Sequence, residues 1–151
     1  MRSGATTTSR SAIELLTTSA GETEAAGERL GRQLRRGDLL LLVGELGAGK
    51  TTFVRGLARG LQVGGPVMSP TFQLVRVYPG PVPLAHVDLY RLNGGEDLRE
   101  LGLDELLDEG VVAVEWGERL GAAGAMRLVI DMLDAERRRL RLEGGPPSWS
   151  W

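Results

Sequence analysis

The chain has no cysteine. That excludes a disulfide scaffold and any metal centre built on thiolates. Its one histidine argues against a zinc site as well. No stretch approaches the roughly 20 apolar residues of a membrane span. The first residues lack the apolar region of a signal peptide, so a cytoplasmic location without membrane association is expected. Neither sign of charge dominates: the formal net charge is −2, too small to attract polyanions by bulk electrostatics. Lysine occurs once, at Lys50, and every other basic side chain is arginine. What is present is ordinary for one soluble globular domain. With 151 residues, 42% hydrophobic and 25% charged, the chain is long enough for a real core.

The single lysine falls in Gly44-Glu45-Leu46-Gly47-Ala48-Gly49-Lys50-Thr51, which fits G-x-x-x-x-G-K-[ST]. Small residues at this spacing let successive backbone N–H groups turn inward as an anion-binding nest. A helix starting there adds the partial positive charge of its N-terminus. Lys50 can then reach the β- and γ-phosphates of a nucleotide, and the Thr51 hydroxyl can ligate Mg²⁺. The flanks agree with the motif. Leu39–Val43 is an unbroken apolar run of strand length, ended by Gly44. After Thr51, the residues Phe53, Val54, Leu57 and Leu61 recur at helical spacing, with Gly60 near the expected stop. The residues predicted to hold a nucleotide are Glu45, Leu46, Gly47, Ala48, Gly49, Lys50, Thr51 and Thr52.

In chain order, residues 1–10 form a Ser/Thr-rich segment without periodicity, expected to be a flexible tail. Ile13, Leu15 and Leu16 suggest a short strand. Ser19 and Glu22 form a capping box before a helix with Ala26, Leu30 and Leu34 on one stripe, ended by Gly37-Asp38. Gly64-Gly65-Pro66 is a turn, and Pro70 pushes Ser69 into extended backbone. Phe72–Tyr78 reads as a strand joined by Pro79-Gly80-Pro81 to a second, Leu84–Arg91. By its period of two, His86, Asp88 and Tyr90 share one face of that strand, and Ala85, Val87 and Leu89 the other. Leu98 to Leu107 predict two short helices split at Gly102. Val111–Val114 is another buried run, followed by Glu115 and Trp116. Arg127–Asp131 and Arg138–Glu143 predict two closing strands around a turn at Asp134. The tail, 144–151, has two tryptophans and no usable pattern. One α/β domain over 11–143 is expected, P-loop NTPase-like, with a mostly parallel central sheet, flanking helices and antiparallel additions.

Three further places can carry chemistry. Val111-Val112-Ala113-Val114-Glu115 has the form of a Walker B strand, whose terminal acid stands where Mg²⁺ or its water shell needs negative charge. The alternative is an ordinary strand-end acid. Asp88 can position water or a metal ligand, or belong to a structural network with His86 and Tyr90. His86 itself suits packing or a hydrogen bond better than a catalytic base. Ser69-Pro70-Thr71 can sense a γ-phosphate or be a plain turn. The run Arg137-Arg138-Arg139 suits a solvated hairpin edge, with RNA contact the lesser alternative.

These motifs in this order, G-E-L-G-A-G-K-T-T, S-P-T-F, H-V-D-L-Y-R and V-E-W-G-E-R, resemble the TsaE (YjeE) family between Gly44 and Arg119. That family is the bacterial ATPase component of the machinery making threonylcarbamoyladenosine (t6A) in tRNA. The resemblance implies a compact P-loop fold, ATP with Mg²⁺ as ligands, and the TsaB–TsaD complex as partner, with tRNA met indirectly through it. It implies phosphate and magnesium roles for Lys50 and Thr51. It gives Glu115 a second magnesium-side role, Asp88 that of a functional acid, and Trp116 the place of the family tryptophan beside that glutamate. Asp88 and Glu115 are the candidate catalytic residues; Thr51 and Glu115 are the candidate metal ligands. Two other classes stay open on the residues alone: a P-loop kinase of a small molecule, and a nucleotide-dependent scaffold that hydrolyses nothing.

Overall fold

The computed structural model describes residues 13–45, 47–64, 75–88, 102–115, 125–146 and 149–151. Its centre is made by the apolar runs. Strands β1 (Ile13–Thr17), β2 (Leu39–Val43), β3 (Val75–Tyr78), β4 (Leu84–Asp88), β5 (Val111–Glu115), β6 (Met126–Met132) and β7 (Arg138–Glu143) form one seven-stranded sheet. The spatial order is β1-β7-β6-β2-β5-β4-β3. The four inner strands β6, β2, β5 and β4 are parallel. The outer pairings, β1 with β7, β7 with β6, and β3 with β4, are antiparallel. This is the α/β architecture the sequence predicts. Every residue of β4 and β5 is buried, including the polar His86, Asp88 and Glu115 among their apolar neighbours.

Helices α1 (Ala20–Gly31) and α2 (Lys50–Leu61) cover one face, burying Leu30, Phe53 and Leu57 against Leu40, Leu42 and Leu128. Full burial of each such side chain stabilises the fold by about 1.5–3 kcal/mol. Helix α3 (Leu103–Glu109) packs Leu103, Leu106 and Leu107 on the opposite face, over Leu41, Val87, Val112 and Val114. Gly102, with φ 82°, precedes α3 as the expected break; the expected helix before it lies outside the described residues.

The capping box at α1 forms, with one shift. Ser19 Oγ accepts from the Glu22 amide at 3.1 Å, while Glu22 reaches back to the amide of Thr18 at 2.7 Å. Helix α1 ends at Gly31, earlier than the stripe through Leu34 and the stop at Gly37-Asp38 suggested. The chain leaves it through short turns, Gln33 N–H to Leu30 O and Leu34 N–H to Gly31 O. Leu34 therefore stays in the core without being helical.

Gly60 does stand near the helix end, one residue before it, as the sequence suggests. Helix α2 runs through Leu61 and closes at Gln62, whose φ of 60° is left-handed. Gly60 also belongs to one of two glycine pairs, Gly27 with Gly31 and Gly56 with Gly60, where α1 and α2 cross. A Cβ on Gly56 would lie 1.9 Å from Glu24 O, and one on Gly27 would lie 2.2 Å from Phe53 O. At Gly60 the distance would be 2.3 Å, to Glu28 O, and at Gly31 it would be 2.6 Å, to Leu57 O. The two helices meet backbone to backbone. Arg59 pairs with Glu24 and, at 3.5 Å, with Glu28 beside the crossing.

The last residues pack on the same side. Trp151 stands edge-on to Phe53 at 6.3 Å and to Trp149 at 5.3 Å, and its indole N–H donates to Ile13 O at 2.8 Å.

In an open helix position, Gly→Ala gains up to about 1 kcal/mol. At the crossing, the added methyl overlaps a carbonyl, and overpacking costs about 1–3 kcal/mol. Gly56→Ala should therefore lower stability in chemical denaturation. Gly21→Ala, whose methyl meets only Ser19 Oγ at 3.8 Å, should not. A Gly56→Ala protein as stable as the parent would refute the backbone contact.

Candidate nucleotide site

The loop between β2 and α2 is shaped by its glycines. A Cβ on Gly44 would lie 2.8 Å from Ile130 O, so the loop starts hard against β6. Gly49 has φ 111° and caps α2 without any side-chain acceptor, and the first turn of α2 carries no acid. The positive end of the helix is thus not neutralised by its own first turn. Lys50 is 4% exposed, and its Nζ donates to Gly44 O at 2.7 Å, joining the start of the helix to the start of the loop. Leu46 lies outside the described residues. This geometry suits an anion such as a nucleotide phosphate chain.

Three side chains from neighbouring strands face that helix end. Asp88 and Glu115 are the last residues of β4 and β5 and are paired in register. His86, Asp88 and Glu115 are all buried, His86 completely. Glu115 Oε2 lies 2.6 Å from His86 Nε2 and accepts from Thr51 Oγ1 at 3.4 Å. His86 Nδ1 has no hydrogen-bond partner among the described residues. His86 thus takes the hydrogen-bonding role the sequence suggests for it. Tyr90, Ser69, Thr71 and Trp116 lie outside the described residues.

The donor set fits magnesium and not a fully protein-ligated metal. Among the described residues no group of three His, Cys, Asp or Glu could hold a metal ion. Mg²⁺ needs no such group, because it keeps several waters and takes one or two protein oxygens beside phosphates. Thr51 and Glu115 are a pair of oxygens of that kind.

The sequence motifs do not single out Arg138. Its Nε donates to Ala48 O, inside the loop, at 2.7 Å, and its Nη1 donates to Asp134 O at 2.8 Å and to Arg137 O at 3.0 Å. Arg137 and Arg139 are engaged elsewhere in the hairpin, with Asp134 at 2.6 Å and Asp131 at 3.2 Å. A signal was available in the alternation of β7: Arg138 shares a face with Leu140 and Leu142, the buried one. Arg138 also lines a cavity of about 260 Å³ between the start of α1, Gly49 and Thr52 of α2, and the β6–β7 turn. That cavity adjoins the phosphate loop at Gly49. A second opening, about 340 Å³, lies between Gly44, Glu45 and the end of β6.

The family model described as "Threonylcarbamoyl adenosine biosynthesis protein TsaE" matches residues 17–141. The Streptomyces coelicolor tRNA threonylcarbamoyladenosine biosynthesis protein TsaE is 49% identical over 122 residues, covering 78% of this chain and 76% of that protein. The TsaE of Mycobacterium tuberculosis is 43% identical over 141 residues, covering 86% of this chain and 82% of that one. The crystal structure of Bacillus subtilis YdiB superposes with a TM-score of 0.73 at 33% identity, covering 89% of this chain and 86% of that chain.

Two measurements test the site. Lys50→Ala should abolish tight ATP binding in a calorimetric titration while the fold persists; unchanged affinity would remove Lys50 from the site. The second concerns the turn that carries the cavity wall. The Asp134 carboxyl is held at about 2 by the Arg137 backbone N–H, the Arg137 side chain and the Glu136 N–H. A depressed carboxylate stabilises the fold fully above its unfolded pKa, near 4, and loses that effect as pH falls through the folded value. The melting-temperature gap between the parent and Asp134→Ala should thus be widest above about pH 5 and close toward about pH 2. A gap independent of pH would contradict the assignment.

Proposed function

The chain belongs to the TsaE family of threonylcarbamoyladenosine biosynthesis proteins, and on that premise we propose that it is the ATP-hydrolysing component of tRNA t6A modification, acting on a TsaB–TsaD complex. The observation that carries the ATPase reading is the Thr51–Glu115 contact beside a Walker-type loop. A site for binding alone has no need of a buried carboxylate aimed at the helix N-terminus, because the loop amides already grip phosphates.

The roles follow from position. Gly44 to Thr52 bind and orient the phosphates, with Lys50 exchanging its bond to Gly44 O for the β- and γ-phosphate oxygens. Thr51 and Glu115 are the residues that would hold magnesium, Glu115 directly or through water. Magnesium, when bound, offsets charge on the phosphate oxygens. Asp88, beside Glu115 at the strand ends, orients the attacking water and accepts its proton. The cavity walled by Thr52, Glu136 and Arg138 adjoins the loop and has room for the nucleoside. A kinase lid is not favoured by the arginine run, since each of Arg137, Arg138 and Arg139 is engaged within the fold.

The described elements are nearly all consumed by the sheet and the helices that build the loop. On this reading the γ-phosphate acts through conformation or association. Turnover by the isolated chain should therefore be slow. In P-loop enzymes a stabilising group supplied from outside raises the rate by roughly 10³–10⁵. Phosphate release should be measured for the chain alone and with the TsaB–TsaD pair, using Glu115→Ala alongside. Stimulation by the pair is expected, and Glu115→Ala should lose more turnover than ATP affinity, with its affinity measured in EDTA staying as in the parent. Fast turnover unaffected by the pair would overturn the partner role. Equal loss of affinity and turnover in Glu115→Ala would make that residue structural.

A further inference from the structure

We propose that His86 is a positioning residue for Glu115, fixing one carboxylate oxygen so that Thr51 and Glu115 present an oriented pair to magnesium; the inference rests on the ATPase reading of this site. With the ring in its Nε2–H tautomer, His86 donates to Glu115 Oε2 across the 2.6 Å contact. That bond is short and charge-assisted, whereas Thr51 Oγ1 reaches the same oxygen only at 3.4 Å, the weak end of the hydrogen-bond range. The orientation of Glu115 is therefore set from β4, by His86, and not from the helix. The register permits it. His86 stands opposite Ala113, whose small side chain lets the ring reach diagonally to Glu115 on the same strand.

Lone pairs complete the case. Oε2 has two, and His86 and Thr51 take both. Oε1 is then the oxygen left to face magnesium or its water. Thr51 has a single hydroxyl hydrogen, and giving it to Glu115 keeps the oxygen's own lone pairs for the metal. His86 is completely buried on the face it shares with Leu84, where an aliphatic side chain would pack without polar cost. Its Nδ1 has no partner among the described residues, so the ring's one hydrogen bond is spent on Glu115.

Because the chain has one histidine, ¹⁵N-histidine labelling gives an unambiguous pair of ring signals. The nucleotide-free protein should show the Nε2-protonated ring with a strongly bonded proton, and Glu115→Ala should abolish that bonded signal. Two substitutions then separate positioning from filling. In His86→Gln the side-chain amide nitrogen reaches the place of Nε2; in His86→Asn it does not. For His86→Asn, kcat and the gain in ATP affinity conferred by Mg²⁺ should each fall by about 10–100-fold. ATP affinity measured in EDTA should stay as in the parent, and His86→Gln should recover most of both losses.

A folded His86→Asn protein with parental kcat and magnesium dependence would overturn the proposal. So would a His86→Gln protein, folded and as impaired as His86→Asn, or a bonded histidine signal that survives Glu115→Ala. If His86→Asn does not fold, His86→Gln and the histidine signal decide alone. Glu115→Ala separates the two levels. If it loses magnesium dependence while His86→Asn keeps it, only the positioning role fails. If it keeps magnesium dependence itself, the ATPase reading beneath fails too.

Discussion

The approach of α1 to α2 is the constraint from which the site follows. Four glycines bring the two backbones into contact, and no side chain larger than hydrogen fits between them. Each glycine weakens its helix by about 1 kcal/mol relative to alanine. What is gained is rigidity of placement: α2, which begins at the phosphate loop, cannot slide or rotate on α1 without meeting carbonyl oxygens. The start of α1 in turn walls the cavity beside Thr52, so one contact fixes both the phosphate end and the adjoining space.

Buried polarity is concentrated in the same region. Among the described residues the buried charged side chains are Lys50, Asp88 and Glu115, and the other buried polar ones are His86, Thr17 and Thr23. Burying a charge is costly unless it is paired. Here Lys50 closes on Gly44 O, Glu115 on His86 and Thr51, and Thr17 on Thr23 at 2.7 Å. A fold selected for stability alone would place aliphatic groups at several of these positions. Their gathering at the strand ends around one helix N-terminus marks where stability has been given up for chemistry.

Much of this was legible because it rests on short-range pattern. Leu39–Val43 is a strand with the bounds its apolar run gives, and the alternation of β4 does place His86 and Asp88 on one face. Glu115 was visible as the acid closing an apolar strand. The missed features are those in which distant segments meet. Gly60 reads locally only as a mark of the helix end, which it stands beside, and only the opposing helix shows it to be a contact as well. Arg138 was hidden in a run of three arginines, because its bond to Ala48 spans 90 residues of chain. Trp149 and Trp151 have no periodicity, and their place is set by Phe53 and Ile13.

The indole bond from Trp151 to Ile13 O acts at the margin of the sheet. Among the described residues β1 is an edge strand, and it carries Leu16 at 63% exposure, a combination that invites another chain to add on. An intruding strand recruits by matching unpaired carbonyls and amides in succession. With the Ile13 carbonyl already taken and two indoles packed at that end, the succession is interrupted at its first acceptor. Trp151 thus occupies an acceptor that strand pairing from outside would need at this edge.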